Sequence, residues 1–273
     1  MKTRIITGVV AIGLFVPICI FSGTIVFPIA MSLLCLIGVY EIAKCLGFEK
    51  NFIITIPMYI IAVGLPILRY FISTNTSFMA MSMVAIFGML IYTLAYIMLS
   101  KNIDGLKDLL SLFTLFLYIV GCFSTMVMVR FSANGKFMYL LVFLGAWVCD
   151  TFAYFVGFFF GKHKLIPEIS PKKTIEGSIG GIVFTVIGFA IYGIIVNNAF
   201  DAQLSYVKLC IIGFVLSIVS QIGDLVASTI KRHYGIKDYG RLFPEHGGVL
   251  DRFDSVMLAA PTLYIMNVLL NLI

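Results

Sequence analysis

Apolar runs of helical length follow one another along nearly the whole chain, divided by short polar breaks. Nine can be marked: Ile5–Ser22, Thr24–Tyr40, Phe52–Phe71, Phe78–Leu99, Leu106–Val129, Phe137–Phe160, Gly177–Val196, Leu209–Ile230 and Phe253–Ile273. Each is near the roughly 20 residues that a helix needs to cross a hydrocarbon core of about 30 Å. Barrel strands would be alternating segments of about 10 residues, which these are not. The pattern predicts an all-α, polytopic integral membrane protein with about nine transmembrane helices. The first run, behind Lys2 and Arg4, has some features of a secretory signal. Its length and its direct passage into a second run predict a retained helix.

Composition agrees. Of 273 residues, 61% are hydrophobic and 12% charged, against about 25% charged in soluble domains. A water-soluble globule, a disordered chain and a disulfide scaffold are all excluded. The six cysteines form no C-x-x-C pair and read as small apolar residues within the spans. The net charge of +6 is explained by topology rather than by nucleic acid. With a cytoplasmic N-terminus, only Arg69, Arg130, Lys136 and Lys208 fall outside, and the other fifteen of the 19 lysines and arginines fall inside. The expected location is the inner (plasma) membrane, multi-pass, with the active site on the cytoplasmic side.

Function is concentrated toward the C-terminus. Residues 1–136, with the first five spans, carry little chemistry; Glu41 and Glu49 lie near a cytoplasmic boundary and read as solvated. Residues 137–273 hold spans six to nine and the two richest inside loops, 161–176 and 231–252. The two parts form one continuous membrane domain. Asp150 sits near the middle of the sixth span and Asp224 within the eighth. A carboxylate at mid-bilayer costs about 2.5–3.5 kcal/mol even on a lenient scale, so each needs a partner, a watery cavity or a metal.

Spacing assigns faces. Asp150, Ala153, Tyr154, Gly157 and Gly161 form one stripe, and Ser217, Ser220, Gln221, Asp224, Ser228 and Lys231 another. Two such stripes imply an aqueous cleft open to the inside; helix-to-helix glue is the competing reading, the stronger one for Gly157 and Gly161. Asp251 and Asp254 share a face at the start of the ninth span, where their charges repel unless a cation lies between. His246-Gly247-Gly248 precedes them as a flexible turn, with His246 either touching phosphate, orienting a carboxylate or packing the loop. Carboxylates without thiolates suit Mg²⁺ or Mn²⁺ rather than zinc.

The stretch Ser170-Pro171-Lys172-Lys173-Thr174-Ile175-Glu176-Gly177 precedes the seventh span. Ser170 and Thr174 can cap that helix, and its dipole with the two lysines favours a bound anion. Carboxylate-held Mg²⁺ beside lysines and arginines is a constellation for phosphoryl or nucleotidyl transfer.

The run from Ser228 through Lys231, Arg232, Lys237, Gly240, Phe243, Pro244, His246, Gly247, Gly248, Asp251 and Arg252 to Asp254 resembles the signature of phosphatidate cytidylyltransferases (CDP-diacylglycerol synthases), with no departure. The Ser-Pro-Lys-Lys-Thr-x-Glu-Gly segment and Asp150 with its Ala-Tyr-Phe continuation resemble the same family. The resemblance implies transfer of CMP from CTP to phosphatidic acid, giving CDP-diacylglycerol and pyrophosphate with Mg²⁺. It assigns Asp224 and Asp251 to the metal, with Asp254 and Asp150 as further ligands or their supports. Lys172, Lys173, Lys231, Arg232 and Lys237 then hold triphosphate or lipid phosphate, helped by Ser170, Thr174, Ser228, the His246–Gly248 turn and Arg252. It also implies a metal pair and a homodimer in the bilayer. An ion-coupled transporter would show inverted repeats, which are absent from the sequence. Another CTP-dependent membrane enzyme, such as a lipid kinase, differs only in the signature.

Overall fold

A computed structural model describes residues 2–72, 74–100, 106–243 and 247–270, with the side chains of 2–7 left aside. Lys101 and His246 therefore lie outside the described residues. Among these residues the elements run α1 (Lys2–Ile20), α2 (Val26–Cys45), α3 (Phe52–Phe71), α4 (Asn75–Ser100), α5 (Leu106–Arg130), α6 (Gly135–Phe160), β1 (Lys164–Ile166), β2 (Ser170–Thr174), α7 (Ile175–Phe200), α8 (Tyr206–His233) and α9 (Leu250–Leu269). The nine helices coincide with the nine apolar runs. Seven of them, α2 to α8, are long and apolar enough to cross a membrane. Their outward faces carry large bare apolar residues such as Val84, Ile91, Phe158 and Ile195, as lipid contact requires. The protein is a polytopic, all-α membrane protein.

Two boundaries move in ways that matter. The second run is helical beyond Tyr40 to Cys45, which carries Glu41 into the body of α2. The 161–176 loop is a two-stranded antiparallel hairpin, with Lys164 opposite Thr174 and Ile166 opposite Ser170.

By packing, the chain divides into two compact units: Met1–Met128 with Ile236–Arg252, and Val129–Gly235 with Phe253–Ile273. In the first, α2 packs on α3, and the loop before α9 returns to α2 through Leu250, which approaches Gly38. In the second, α6, α7 and α8 pack on one another. Lipid offers helices no hydrophobic drive to associate, so small residues at the contact matter. A Cβ on Gly180 would meet Val156 at 2.6 Å, and one on Gly213 would meet Phe189 at 2.9 Å. Thr174 begins α7 as its N-cap, its side chain accepting from Gly177 N at 3.1 Å.

Candidate active site

In the second unit, three helices and the hairpin bring polar groups together. Asp150 of α6 accepts a hydrogen bond from Ser255 Oγ of α9 at 2.8 Å. Asp254 caps the neighbouring backbone, its Oδ1 accepting from Ser255 N at 2.9 Å. On α8, Asp224 Oδ2 lies 2.5 Å from Lys173 Nζ of β2, and Ser228 Oγ donates to Asp224 Oδ1 at 3.5 Å. The lysine lies off the axis of a directed hydrogen bond, so the contact is an ion pair. Asp150, Asp224 and Asp254 are close enough to repel one another, with Lys173 and Lys231 as the neighbouring cations. Asp150 is exposed and Asp224, Asp254, Ser228 and Lys173 are half-buried, while Ser255 and the Lys173 Nζ are buried.

Glycine lets the backbones approach here. A Cβ on Gly223 would lie 2.5 Å from Asp254 O, which sets how near α8 and α9 run at the carboxylates. The hairpin that delivers Lys173 is clasped at its base. Glu176 accepts from Lys162 N at 3.1 Å and His163 N at 3.2 Å, and its Oε1 lies 2.6 Å from His163 Nδ1.

The two expected stripes divide. On α8, Ser217, Ser220 and Gln221 are buried, and Gln221 Nε2 donates to Ser217 O at 3.2 Å and Ser178 O at 3.4 Å. They are glue between helices; Asp224, Ser228 and Lys231 further along face the cluster or its rim. On α6, Gly157 and Gly161 face Thr174, where a Cβ on either would come within 2.8 Å of Thr174 Oγ1. They too serve packing, and only Asp150 of that stripe joins the carboxylates. Of the two expected caps, Thr174 alone acts as one. Ser170 pairs across the hairpin with Ile166, too far upstream of Ile175 to reach the first turn of α7.

The signature loop belongs to the first unit. Asp251 is buried at 8% exposure, and its Oδ2 accepts from Tyr239 N at 2.8 Å and Gly248 N at 2.9 Å. Gly247 has φ +84°, where a side chain is strained, and its O accepts from Phe243 N at 2.9 Å. Lys237, Arg232 and Arg252 are exposed and Lys231 is half-buried. Asp251 and Asp254 thus fall in different units, each held by its own partners. Glu41, expected to be solvated, is 3% exposed, with hydrogen bonds to Val249 N and Leu250 N at 2.9 Å each. Its partners lie 208 and 209 residues away, so no local pattern announces them.

A model of the cytidylyltransferase family matches residues 2–270. The chain belongs to the cytidylyltransferase family. It is also 36% identical to the phosphatidate cytidylyltransferase of Staphylococcus haemolyticus over 266 residues, covering 97% of this chain and 98% of that protein. The proteins of the same name from Staphylococcus saprophyticus and Staphylococcus aureus are each 35% identical over the same coverage.

The oxygen donors fit a hard divalent cation. Asp150, Asp224 and Asp254 come from three helices without any thiolate among them, and the Lys173 ammonium already stands against Asp224 where positive charge is needed. Among the described residues no three such side chains already stand at ligand distance.

Proposed function

We propose that this protein transfers CMP from CTP to phosphatidic acid, forming CDP-diacylglycerol and pyrophosphate. The observation that carries the reading is the ion pair of Lys173 with Asp224 beside Asp150 and Asp254, within a chain that matches phosphatidate cytidylyltransferases along its length. A phosphatidate oxygen attacks the α-phosphorus of CTP and forms the new O–P bond. The bond from that phosphorus to the bridging oxygen breaks, and pyrophosphate leaves with the electron pair. Phosphatidate is ionised at neutral pH, so no side chain has to remove a proton.

The barrier is repulsion between two anions, and the residues act on it by position and charge. Lys172 and Lys173 on the hairpin, with Lys231, Arg232, Lys237 and Arg252, hold triphosphate and lipid phosphate. Asp224, Asp254 and Asp150 would hold Mg²⁺, which would supply charge neutralisation. Asp251 holds the Tyr239 and Gly248 amides together, which fixes the Gly247–Gly248 turn beside the start of α9. The concentration of lysine and arginine in the inside loops supports a site facing the cytoplasm, where CTP is dissolved, with phosphatidate entering from the adjoining leaflet. A homodimer accompanies this reading and is tested by the mass of the detergent-solubilised protein.

The test is incubation of purified protein in detergent with radiolabelled CTP, phosphatidate and Mg²⁺. Labelled CDP-diacylglycerol is expected, and is expected to vanish when the lipid is withheld or EDTA is added. Transfer to lipid of label from γ-labelled CTP, and not from α-labelled CTP, would replace this reading with that of a lipid kinase.

A further inference from the structure

We infer that Glu41 is a positioning residue for the loop that precedes α9: from within α2 it holds the Val249 and Leu250 amides, and so sets where Asp251 and the Gly247–Gly248 turn stand. The inference rests on the CMP-transfer reading only in the activity chosen to measure it.

A carboxyl group on an apolar helix, 3% exposed, is costly unless its oxygens are satisfied. Here they are divided between two consecutive amides. Oε1 accepts from Val249 N and Oε2 from Leu250 N, each at 2.9 Å. These amides open the first turn of α9, whose early N–H groups have no partner within the helix and whose dipole favours negative charge. Glu41 therefore does for α9, from another helix, what an N-cap side chain does locally.

The loop is shaped to this carboxylate. A Cβ on Gly240 or on Gly248 would collide with Glu41 Oε1. The chain thus passes the carboxylate twice, on either side of the turn, at distances that only glycine permits. One turn earlier on α2, Gly38 leaves room for Leu250, with a Cβ there meeting Leu250 Cδ2 at 3.1 Å. Gly248 N, next to the Val249 amide that Glu41 holds, donates to Asp251 Oδ2. The two carboxylates clamp successive amides of one segment: Asp251 takes 248 and 239, and Glu41 takes 249 and 250. Releasing Glu41 frees the segment to which the Asp251 clamp is attached.

The experiment uses the full-length protein in detergent, with Glu41→Gln, Glu41→Ala, Gly248→Ala and the double variant Glu41→Ala/Gly248→Ala. Hydrogen–deuterium exchange of peptides spanning 239–251 is read beside CMP transfer per folded molecule. Glu41→Ala is expected to speed exchange at Val249 and Leu250 and to lower kcat roughly 100-fold, as displaced catalytic geometry does, with a smaller change in KM for CTP. Glu41→Gln keeps one acceptor and turns a donor toward the other amide, so its loss is expected to be about tenfold. Gly248→Ala alone is expected to be as damaging as Glu41→Ala, and the double variant less damaging than the product of the two, because the added methyl meets an emptied site. A residue that merely stabilised the fold would lower the yield of folded protein and leave kcat unchanged. Unaltered kcat in folded Glu41→Ala, unchanged exchange at 249–250, or losses that multiply in the double variant each overturn the inference. If the wild-type protein transfers no CMP to phosphatidate, the functional reading fails, while the exchange data still judge Glu41.

Discussion

Lys173 Nζ and Asp224 Oδ2 stand 2.5 Å apart, one on a surface hairpin and the other on a membrane-spanning helix. Neither side chain is deeply buried; their exposures are 24% and 25%. The Lys173 ammonium itself is buried, so the charges of the pair are shielded from water. Its chemical meaning comes from its neighbours. Asp150 and Asp254 stand near the pair, and Lys231 is a second cation within reach of Asp254.

Lys173 and its neighbour Lys172 should therefore differ. Lys173→Ala is expected to lower CMP transfer by about 100-fold, the order seen when a group that stabilises transition-state charge is removed. Lys172 is exposed on the next position of β2, and Lys172→Ala should cost about tenfold or less, chiefly in KM. Steady-state kinetics of the two variants at saturating Mg²⁺ check this, and equal losses would count against the ion pair as the distinguishing feature.

Asp224→Asn and Asp251→Asn should each abolish CMP transfer while leaving expression and membrane insertion intact, for different reasons. Asn at 224 removes the charge that Lys173 faces. Asn at 251 weakens the charge-assisted hydrogen bonds that fold the Tyr239–Gly248 segment, each worth roughly 1.5–3 kcal/mol. Near-normal activity in both would remove these assignments.

Metal dependence should follow the oxygen donors. Activity lost on EDTA treatment is expected to return with Mg²⁺ or Mn²⁺ and not with Zn²⁺, since the donors brought together are the carboxylates of Asp150, Asp224 and Asp254. Titration of activity against each ion after chelation is the check, and recovery with Zn²⁺ alone would contradict it.

The contact between α6 and the start of α7 should be intolerant of added volume. Gly157→Ala places a methyl group 2.8 Å from Thr174 Oγ1 and is expected to destabilise by about 1–3 kcal/mol. Thr174→Val removes the cap on Gly177 N and should cost about 1 kcal/mol. Thermal unfolding in detergent measures both, and a Gly157→Ala protein as stable as wild type would mean that the helices can separate at no cost.

The order of hydrophobic and polar residues was enough to mark the nine helices found among the described residues, seven of them long and apolar enough to cross a membrane, because length and apolarity are local. The signature from Ser228 to Asp254 was equally legible as a motif. Three things were decided only by tertiary structure. Ser217, Ser220 and Gln221 became glue while Asp224, in the same stripe, became part of the site, because what a stripe does depends on which helix faces it. Ser170 lost the capping role to Thr174 once the loop paired into a hairpin. Glu41 passed from an apparently solvated boundary residue to a buried clamp on two amides more than two hundred residues away. Periodicity reports which side of a helix a residue occupies; only the folded chain says what stands opposite, and a buried carboxylate is stable only by virtue of that partner.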